Sequence, residues 1–232
     1  MDRDEFYQTI MAGIASYRDD MFMRDMLDAV AADPDDTNFA YSLNKNQLAS
    51  KNWLIQRLQR SAGERFDTIV VLGGWYGTLS AMLLQDHRFD IGRVISIDMD
   101  PACEDKARRV NRTGVSQGKF LAVTGDMLTL AYGTMKLPTR DAHGRGTVVE
   151  IRPDLLINTS CEHVSDFEGW YRRIPDGLLL VLQSNDYFDC CEHLNCVADL
   201  QSFRDQAPMH ELLYAGTLPR KRYSRFMLIG RK

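Results

Sequence analysis

The sequence predicts an α/β protein built on a mostly parallel sheet, with helices before it and an antiparallel strand pair at its end. Three observations support this fold class. Apolar residues recur at helical spacing over residues 6–60. From Thr68 onward, short aliphatic runs alternate with helical segments, as in β-α-β units. The last two apolar runs are separated only by Pro219-Arg-Lys-Arg222, which is too short for a helical crossover between parallel strands.

The first 64 residues are predicted to form an N-terminal helical cap. The apolar spacing from Phe6 to Val30 indicates one or two amphipathic helices, which Asp33-Pro34-Asp35-Asp36 ends. A further helix is predicted from Asn46 to Arg60, and Gly63 suits its C-terminal cap. We therefore expect two units, the cap over residues 1–64 and a sheet domain over residues 65–232.

Five short segments of the sheet domain are nearly all apolar, as expected for parallel strands covered on both faces. The predicted strands are Thr68–Leu72, Arg93–Ile97, Phe120–Val123, Asp154–Asn158 and Leu178–Gln183. Helices are predicted after the first, second, fourth and fifth strands. Residues 127–150 are an expected insertion, with a hairpin ending in Thr147–Ile151. The antiparallel pair at the end is predicted over Leu212–Leu218 and Tyr223–Gly230.

Composition and charge favour a globular protein of the cytoplasm. No apolar run approaches the roughly 20 residues of a membrane span, so no membrane crossing is expected. The N-terminus carries acids where a secretory signal has a basic region, and five cysteines, two of them adjacent, favour reduced thiols. The net charge is −4, so the basic cluster within residues 217–232 predicts nucleic-acid binding only weakly. The oligomeric state cannot be inferred from the sequence.

Glycines and acids follow the first three predicted strands. Ligands of an open parallel sheet bind beyond the carboxyl ends of its strands. The loop Gly73-Gly-Trp-Tyr-Gly77 permits close approach of a ligand, and the helix behind it offers free N–H groups. Asp98 follows the second strand, where a carboxylate can accept both hydroxyls of a ribose. Asp126 follows the third strand, where an acid suits an exocyclic amine.

With these residues, the chain resembles the class I S-adenosylmethionine-dependent methyltransferases over residues 65–232. The resemblance implies a Rossmann-like, seven-stranded, mostly parallel sheet with helices on both faces and a C-terminal antiparallel hairpin. It also implies S-adenosylmethionine as cofactor, with Asp98 at its ribose, Met99 on its adenine and Asp126 at the adenine amine. The cofactor-binding residues expected from the resemblance are Gly73, Gly74, Trp75, Tyr76, Gly77, Asp98, Met99, Asp126 and Met127.

Two positions depart from the family's pattern. Val71 stands where the family usually has an acid, and Trp75 replaces the middle glycine of the loop. Both changes concern the methionine end of the cofactor. An aromatic face of Trp75 or Tyr76 can attract the sulfonium by about 0.5 to 2 kcal/mol, or Trp75 can simply pack against the N-terminal helices. The loop also disfavours a dinucleotide, because Trp75 would crowd a pyrophosphate.

Polar residues after the fourth strand are candidates for catalysis. Asn158 can orient an amine or a carbonyl, while Glu162 or His163 can remove a proton from an acceptor. The alternative is the start of a helix, capped by Ser160 or Asn158, with Glu162 in its first turn.

Four further residues are candidates for substrate binding. Asn185 and Tyr187 follow the fifth strand, where a plain turn is the alternative. Lys51 and Trp53 lie in the helix before the sheet, and Lys51 can meet the cofactor carboxylate if the cap covers the ligand edge. No metal site is predicted. Zinc ligands are considered at Cys190, Cys191, His193 and Cys196, but adjacent cysteines are poorly spaced for C-x-x-C and no second pair occurs elsewhere.

The function implied by the resemblance is methyl transfer to an unidentified N, O or S acceptor, most simply a small molecule. A second hypothesis keeps the cofactor but directs attack or cleavage to its aminobutyrate side. A third is a binding module without catalysis. The segment after the fourth strand lacks the Pro-Pro-aromatic sequence of the methyltransferases that act on DNA bases and protein glutamine, which disfavours those substrates.

Overall fold

Within residues 20–64, three helices precede the sheet. The computed structural model describes residues 20–140 and 145–232, together with residues 9, 11 and 13. The helices are α1 (Met21–Ala32), α2 (Thr37–Ser42) and α3 (Lys45–Ala62). The side chains of Asp20, Asp36 and Asn44 cap their N-termini by accepting backbone N–H bonds. The helix predicted from Asn46 is confirmed and is followed by Gly63, whose φ is 95°. Most of the helical prediction before residue 20 lies outside the described residues.

A seven-stranded sheet with the order β3-β2-β1-β6-β7-β9-β8 forms the centre of the molecule. Its strands are β1 (Arg65–Leu72), β2 (Asp90–Asp98), β3 (Phe120–Thr124), β6 (Leu155–Asn158), β7 (Leu179–Asn185), β8 (Glu211–Pro219) and β9 (Ser224–Arg231). The first five run parallel to one another, while β9 is antiparallel to both β7 and β8. Every predicted strand of this sheet is confirmed. Leu72 pairs with both Ile97 and Asn158, so the carboxyl ends of β1, β2 and β6 meet at one edge.

A separate two-stranded sheet lies in the insertion between β3 and β6. It consists of β4 (Met135–Arg140) and β5 (Gly146–Ile151), which pair antiparallel. The predicted hairpin is therefore confirmed, and its connecting residues 141–144 lie outside the described residues.

Helices cover both faces of the large sheet, because successive strand residues point to opposite sides. Val70 and Leu72 belong to one core with Trp170, whereas Ile69 and Val71 belong to the other core with Leu54 of α3. The helices after the strands are α4 (Thr78–Gln85), α5 (Ala102–Val110), α6 (Arg112–Ser116), α7 (Phe167–Arg173) and α8 (Leu200–Gln206). The fold is the predicted Rossmann-like one. Among the described residues, no helix has the length and apolarity needed to cross a membrane.

The segment after β6 is a loop rather than the start of a helix. Asn158 Oδ1 accepts the Ser160 N–H at 2.8 Å, which turns the chain at the end of the strand. A single 3₁₀ turn, Cys161–His163, follows without a side-chain cap from Ser160. Helix α7 begins later, where Asp166 accepts the Gly169 N–H at 3.0 Å. The alternative role of Asn158 or Ser160 as a helix cap is therefore wrong.

Candidate functional site

A cavity of about 860 Å³ opens at the carboxyl ends of the parallel strands. Its walls come from the loops after β1, β2, β3, β6 and β7, from α3, and from the start of β9. A second cavity, of about 780 Å³, lies at the opposite end of the sheet beside Arg65 and Asp154. We place the candidate site at the carboxyl edge, because strand order reverses there between β1 and β6, where open α/β sheets bind ligands.

The loop after β1 has one glycine packed closely against β2 and two glycines with positive φ. A Cβ on Gly74 would lie 1.9 Å from Ser96 Oγ of β2, so a side chain there would have to displace the Ser96 hydroxyl. Gly73 has a φ of 60° and borders the cavity. Gly77 has a φ of 69° and packs behind the loop, where Asn111 donates to its carbonyl at 3.1 Å. Trp75 adopts a φ of 48°, a value that glycine would adopt without strain.

Asp98 fixes this loop to the end of β2. Its Oδ2 accepts the Trp75 N–H at 2.8 Å, and its Oδ1 accepts the Asp100 N–H at 3.1 Å. A carboxylate offers about four acceptor positions, so two remain for a ligand. Asp126 is held similarly, because its Oδ1 accepts the Leu128 N–H at 2.8 Å. Both acids line the cavity.

Eight of the nine residues predicted to bind the cofactor line this cavity, and Gly77 is the exception. Met99 lies at its rim with 74% of its surface exposed, the exposure expected of a side chain available to a ligand. Met127 lies deeper, where its carbonyl accepts the Tyr132 hydroxyl at 2.6 Å. The structure therefore gathers the predicted residues in one place, whether or not they act as predicted.

Tyr76 ties the loop to the N-terminal helices. Its hydroxyl donates to Asp36 Oδ2 at 2.7 Å, and the Lys106 ammonium lies 5.1 Å from its ring centre. Lys106 also pairs with Asp33 at 3.1 Å and with Asp36. The hydrogen bond from Lys106 lowers the pKa of the Asp36 carboxyl below its usual value. The hydroxyl of Tyr76 thus serves the cap, although its ring borders the cavity.

Trp75 has both of the surroundings considered for it. Its ring centre lies 5.1 Å from that of Tyr76, and its side chain packs on the cluster that includes Met26 and Phe39 of the cap. It also lines the cavity. The Trp75 side chain can therefore both pack against the cap and contact a ligand in the cavity.

A buried ion pair lies at the other end of the cavity. Glu162 Oε1 accepts from Asn185 Nδ2 at 2.6 Å and from the Arg225 guanidinium at 3.1 Å. The side chains of Glu162 and Arg225 are only 4% and 9% exposed. Arg225 also donates to Gln183 Oε1 at 3.2 Å and to the Thr159 carbonyl. The Glu162 Oε2 atom is buried and has no hydrogen-bond partner among the described residues.

Arg225 is a site residue that the sequence interpretation missed, and His193 is one that it considered only with the cysteines, as a zinc ligand, and set aside. Arg225 was counted in the basic C-terminal cluster, but it pairs with Asn185 across β9 and β7. The available signal was a single charge at the start of an otherwise apolar strand. His193 lies beside His163, with ring centres 4.8 Å apart, and both line the cavity.

The remaining predicted residues divide between the cavity and its surroundings. Lys51 lines the cavity and donates to Gln47 Oε1 at 2.9 Å. Burial and the nearby positive charge of Arg225 lower the pKa of Lys51 to about 8. Asn185 and Tyr187 also line the cavity, and Asn185 Oδ1 accepts the Tyr187 N–H at 2.9 Å.

Besides Gly77, two predicted site residues lie outside the cavity lining. Trp53 packs edge-on against Tyr214, with ring centres 6.3 Å apart. Asn158 is fully buried behind the cavity wall, where its side chain contacts Ser160 N and Met127 Sδ. Neither side chain belongs to the cavity lining, so the substrate contact of Trp53 and the catalytic contact of Asn158 stay predictions that the lining does not support.

No protein-family model and no curated protein matches the chain. Solved structures do share its fold. The N-methyltransferase NodS from Bradyrhizobium japonicum WM9, in complex with S-adenosyl-l-homocysteine, has a TM-score of 0.58 and 11% identity, covering 90% of this chain and 96% of NodS. MtNAS in complex with MTA and tNA has a TM-score of 0.53 and 14% identity, covering 89% of this chain and 69% of MtNAS.

A third similar structure is the [4+2]-cyclase SpnF, with a TM-score of 0.56 and 11% identity, covering 80% of this chain and 82% of SpnF. The chain therefore has the class I methyltransferase fold that its sequence predicts. Because one of these three structures is named as a cyclase, the fold leaves the reaction open.

Proposed function

We propose that this protein is an S-adenosylmethionine-dependent methyltransferase acting on a small-molecule N, O or S acceptor. The observation that carries the proposal is the convergence of the glycine loop, Asp98 and Asp126 on one cavity at the carboxyl edge of the sheet. The fold shared with NodS, which was crystallised with S-adenosyl-l-homocysteine, supports the same cofactor here.

The cofactor would lie along the loops after β1, β2 and β3. Asp98 retains acceptor capacity for the ribose hydroxyls after binding the two backbone N–H groups. Asp126 lies on the neighbouring loop to accept the adenine amine, with Met99 at the rim to cover the ring. The methionine end then points towards Trp75 and Lys51, whose ammonium suits the cofactor carboxylate.

The acceptor would occupy the end of the cavity formed by the loops after β6 and β7. Its heteroatom lone pair forms a bond to the cofactor methyl carbon, the sulfur–methyl bond breaks, and the electron pair returns to sulfur. The products are the methylated acceptor, neutral S-adenosylhomocysteine and a proton. The sulfonium is already a good leaving group, so the protein contributes mainly alignment and exclusion of water.

The proton of the acceptor requires a base, and two cavity residues are suitable. Lys51 can be the base only in place of its role as the cation at the cofactor carboxylate; with its pKa lowered to about 8, a fraction is then neutral near physiological pH. His163 is exposed and lines the cavity, so its imidazole is the second candidate for this proton. Glu162 is a weaker candidate, because one of its oxygens is engaged by Arg225 and Asn185.

One observation favours a second reaction class. Val71 lines the cavity where the family usually places the acid that helps hold the methionine amine. The aminobutyrate end can therefore lie differently, and attack or cleavage there would give methylthioadenosine. MtNAS, which shares the fold, was crystallised with MTA.

The product of turnover separates the two reactions. We would incubate the protein with S-adenosylmethionine, first alone and then with a panel of amines, hydroxyl compounds and thiols, and identify products by mass spectrometry. S-adenosylhomocysteine with a methylated acceptor supports methyl transfer, and methylthioadenosine supports chemistry on the aminobutyrate side. Absence of S-adenosylmethionine binding by calorimetry contradicts both.

A further inference from the structure

Three side chains that can ligate a metal meet at the acceptor end of the cavity. Glu162, His163 and His193 each offer one ligand atom, and these atoms all lie within 4.8 Å of one another. All three residues line the cavity, on the loops that follow β6 and β7. We propose that they bind one divalent transition-metal ion. Metal binding by this site does not depend on the proposed methyl transfer.

The two imidazoles are oriented as metal ligands usually are. His163 Nδ1 lies 3.0 Å from the Glu192 carbonyl, and His193 Nδ1 lies 2.9 Å from the Tyr187 carbonyl. A carbonyl oxygen can only accept, so the tautomer that suits both contacts has its proton on Nδ1 and leaves Nε2 as the nitrogen for a metal. A hydrogen bond from one ring nitrogen to a carbonyl is the usual way to fix the tautomer of a ligating histidine.

The carboxylate has a vacant oxygen in a buried place. Glu162 Oε1 is engaged by Arg225 and Asn185, while Oε2 has no partner among the described residues. Leaving a buried acceptor unpaired costs free energy. A cation bound beside Oε2 would satisfy it. Arg225 and Asn185 would then hold the carboxylate in place, as outer partners of metal ligands do.

The distances require only a small adjustment. Zinc bonds of about 2.0 to 2.1 Å place tetrahedral ligand atoms about 3.4 Å apart. Ligand atoms that lie within 4.8 Å of one another can reach this separation if side-chain rotations move them by roughly an ångström. His163 is exposed, so its ring can move without disturbing the core.

The donor set indicates the kind of metal. Two imidazole nitrogens and one carboxylate oxygen suit zinc, cobalt, nickel or ferrous iron, whereas magnesium and calcium prefer oxygen ligands. Three protein ligands leave a coordination position facing the cavity, as in sites where a metal binds a substrate. If methyl transfer is the reaction, an acceptor oxygen or nitrogen would bind there. His163 would then act as a ligand and leave the proton to Lys51 or to water.

Cobalt is the probe that reports on the ligands. We would remove metals from the untagged full-length protein with a chelator and titrate it with Co²⁺, following visible absorption and calorimetry. The expected result is one Co²⁺ per chain, with d–d bands and without thiolate charge-transfer absorption, displaced by Zn²⁺. His163→Ala and His193→Ala should each weaken binding roughly tenfold or more, since even outer partners of ligands are worth about 10- to 100-fold.

His210→Ala is the matched control, since His210 is exposed and lies outside the cavity. Its Co²⁺ affinity should equal that of the unchanged protein. Binding of S-adenosylhomocysteine by the histidine variants should also be unchanged, which shows that they are folded and separates a failure of the metal site from a failure of the cofactor site. Cys196 Sγ lies 3.6 Å from His193 Nδ1, so a thiolate is the competing ligand. Three results would overturn the proposal: no stoichiometric Co²⁺ binding, Co²⁺ affinity in the histidine variants that equals that of the unchanged protein, or thiolate bands that Cys196→Ser removes.

Discussion

At the scale of single residues, Asp98 joins the glycine loop to the proposed cofactor site. Its carboxylate holds the Trp75 amide at 2.8 Å, and it retains acceptor positions towards the cavity. Asp98→Asn should weaken S-adenosylhomocysteine binding roughly ten- to a hundredfold, because a hydrogen bond to a charged group is worth about 1.5 to 3 kcal/mol. Isothermal titration calorimetry measures the change.

The control for this variant is Asp100→Asn. Asp100 is exposed and follows the same strand, but it lies outside the cavity wall. The control should bind as the unchanged protein does. Equal affinity in Asp98→Asn would remove the central argument for a nucleoside ligand at this edge.

Trp75 offers a test of the sulfonium contact. Its φ of 48° suits glycine, so Trp75→Gly removes the ring without straining the backbone. If the ring faces the sulfonium, S-adenosylmethionine should lose about two- to thirtyfold more affinity than neutral S-adenosylhomocysteine, the equivalent of about 0.5 to 2 kcal/mol. Competition binding gives both constants. Equal losses for the two ligands would mean that the ring only packs against the cap.

Lys51 predicts a pH dependence whose sign follows from its charge. With its pKa lowered to about 8, Lys51 is cationic below that value and neutral above it. If it contacts the cofactor carboxylate, affinity for S-adenosylhomocysteine should fall as the pH rises from about 7 to about 9. The Lys51→Met variant should bind S-adenosylhomocysteine more weakly than the unchanged protein at about pH 7. Its affinity should also change less than that of the unchanged protein between about pH 7 and about pH 9. A pH profile that is the same in both proteins would assign the titration to another group.

At the scale of secondary-structure elements, the Glu162–Arg225 pair connects the loop after β6 to strand β9. Both side chains are buried, so removing one leaves a charge without its partner. Arg225→Met should lower the free energy of unfolding by about 3 to 5 kcal/mol. The double variant with Glu162→Gln should recover part of this loss, because it removes the stranded charge.

The same strand supplies the control. Arg231 of β9 pairs with Glu211 at 3.6 Å, but these side chains are 50% and 55% exposed. Arg231→Met should therefore cost at most about 1 kcal/mol. Urea unfolding of the three variants gives the comparison. A similar cost for Arg225→Met and Arg231→Met would show that the buried pair contributes no more than a surface one.

The elements themselves were predictable because their signals are local. The strands are continuous apolar runs, since helices cover both faces of the sheet. Gly63 after α3 and the short turn around Pro219 marked boundaries that the structure confirms. The loop after β6 was not predictable in the same way. There the Asn158 side chain accepts the Ser160 N–H and turns the chain. The same residue types also occur at helix starts, so the sequence does not distinguish the two structures.

At the scale of the whole molecule, the cavity combines parts of the chain that are far apart in sequence. Lys51 comes from α3, Asp98 from β2, Glu162 from the loop after β6, and Arg225 from β9. The strand order brings them together, because parallel strands present all their carboxyl ends at one edge. The N-terminal helices are joined to the glycine loop and to α5 through the bonds of Tyr76 and Lys106 to Asp36.

The sequence alone determined the sheet, its C-terminal antiparallel pair and the cofactor end of the cavity. These features depend on apolar periodicity and on glycines and acids placed directly after strands. Such signals are local, because each is contained within a few neighbouring residues. Only the tertiary structure decided the other end of the cavity. It buried Arg225 against Glu162, placed His193 beside His163, and left Trp53 and Asn158 out of the cavity lining. These contacts join residues whose separation along the chain carries no signal, because strand pairing and loop packing create them.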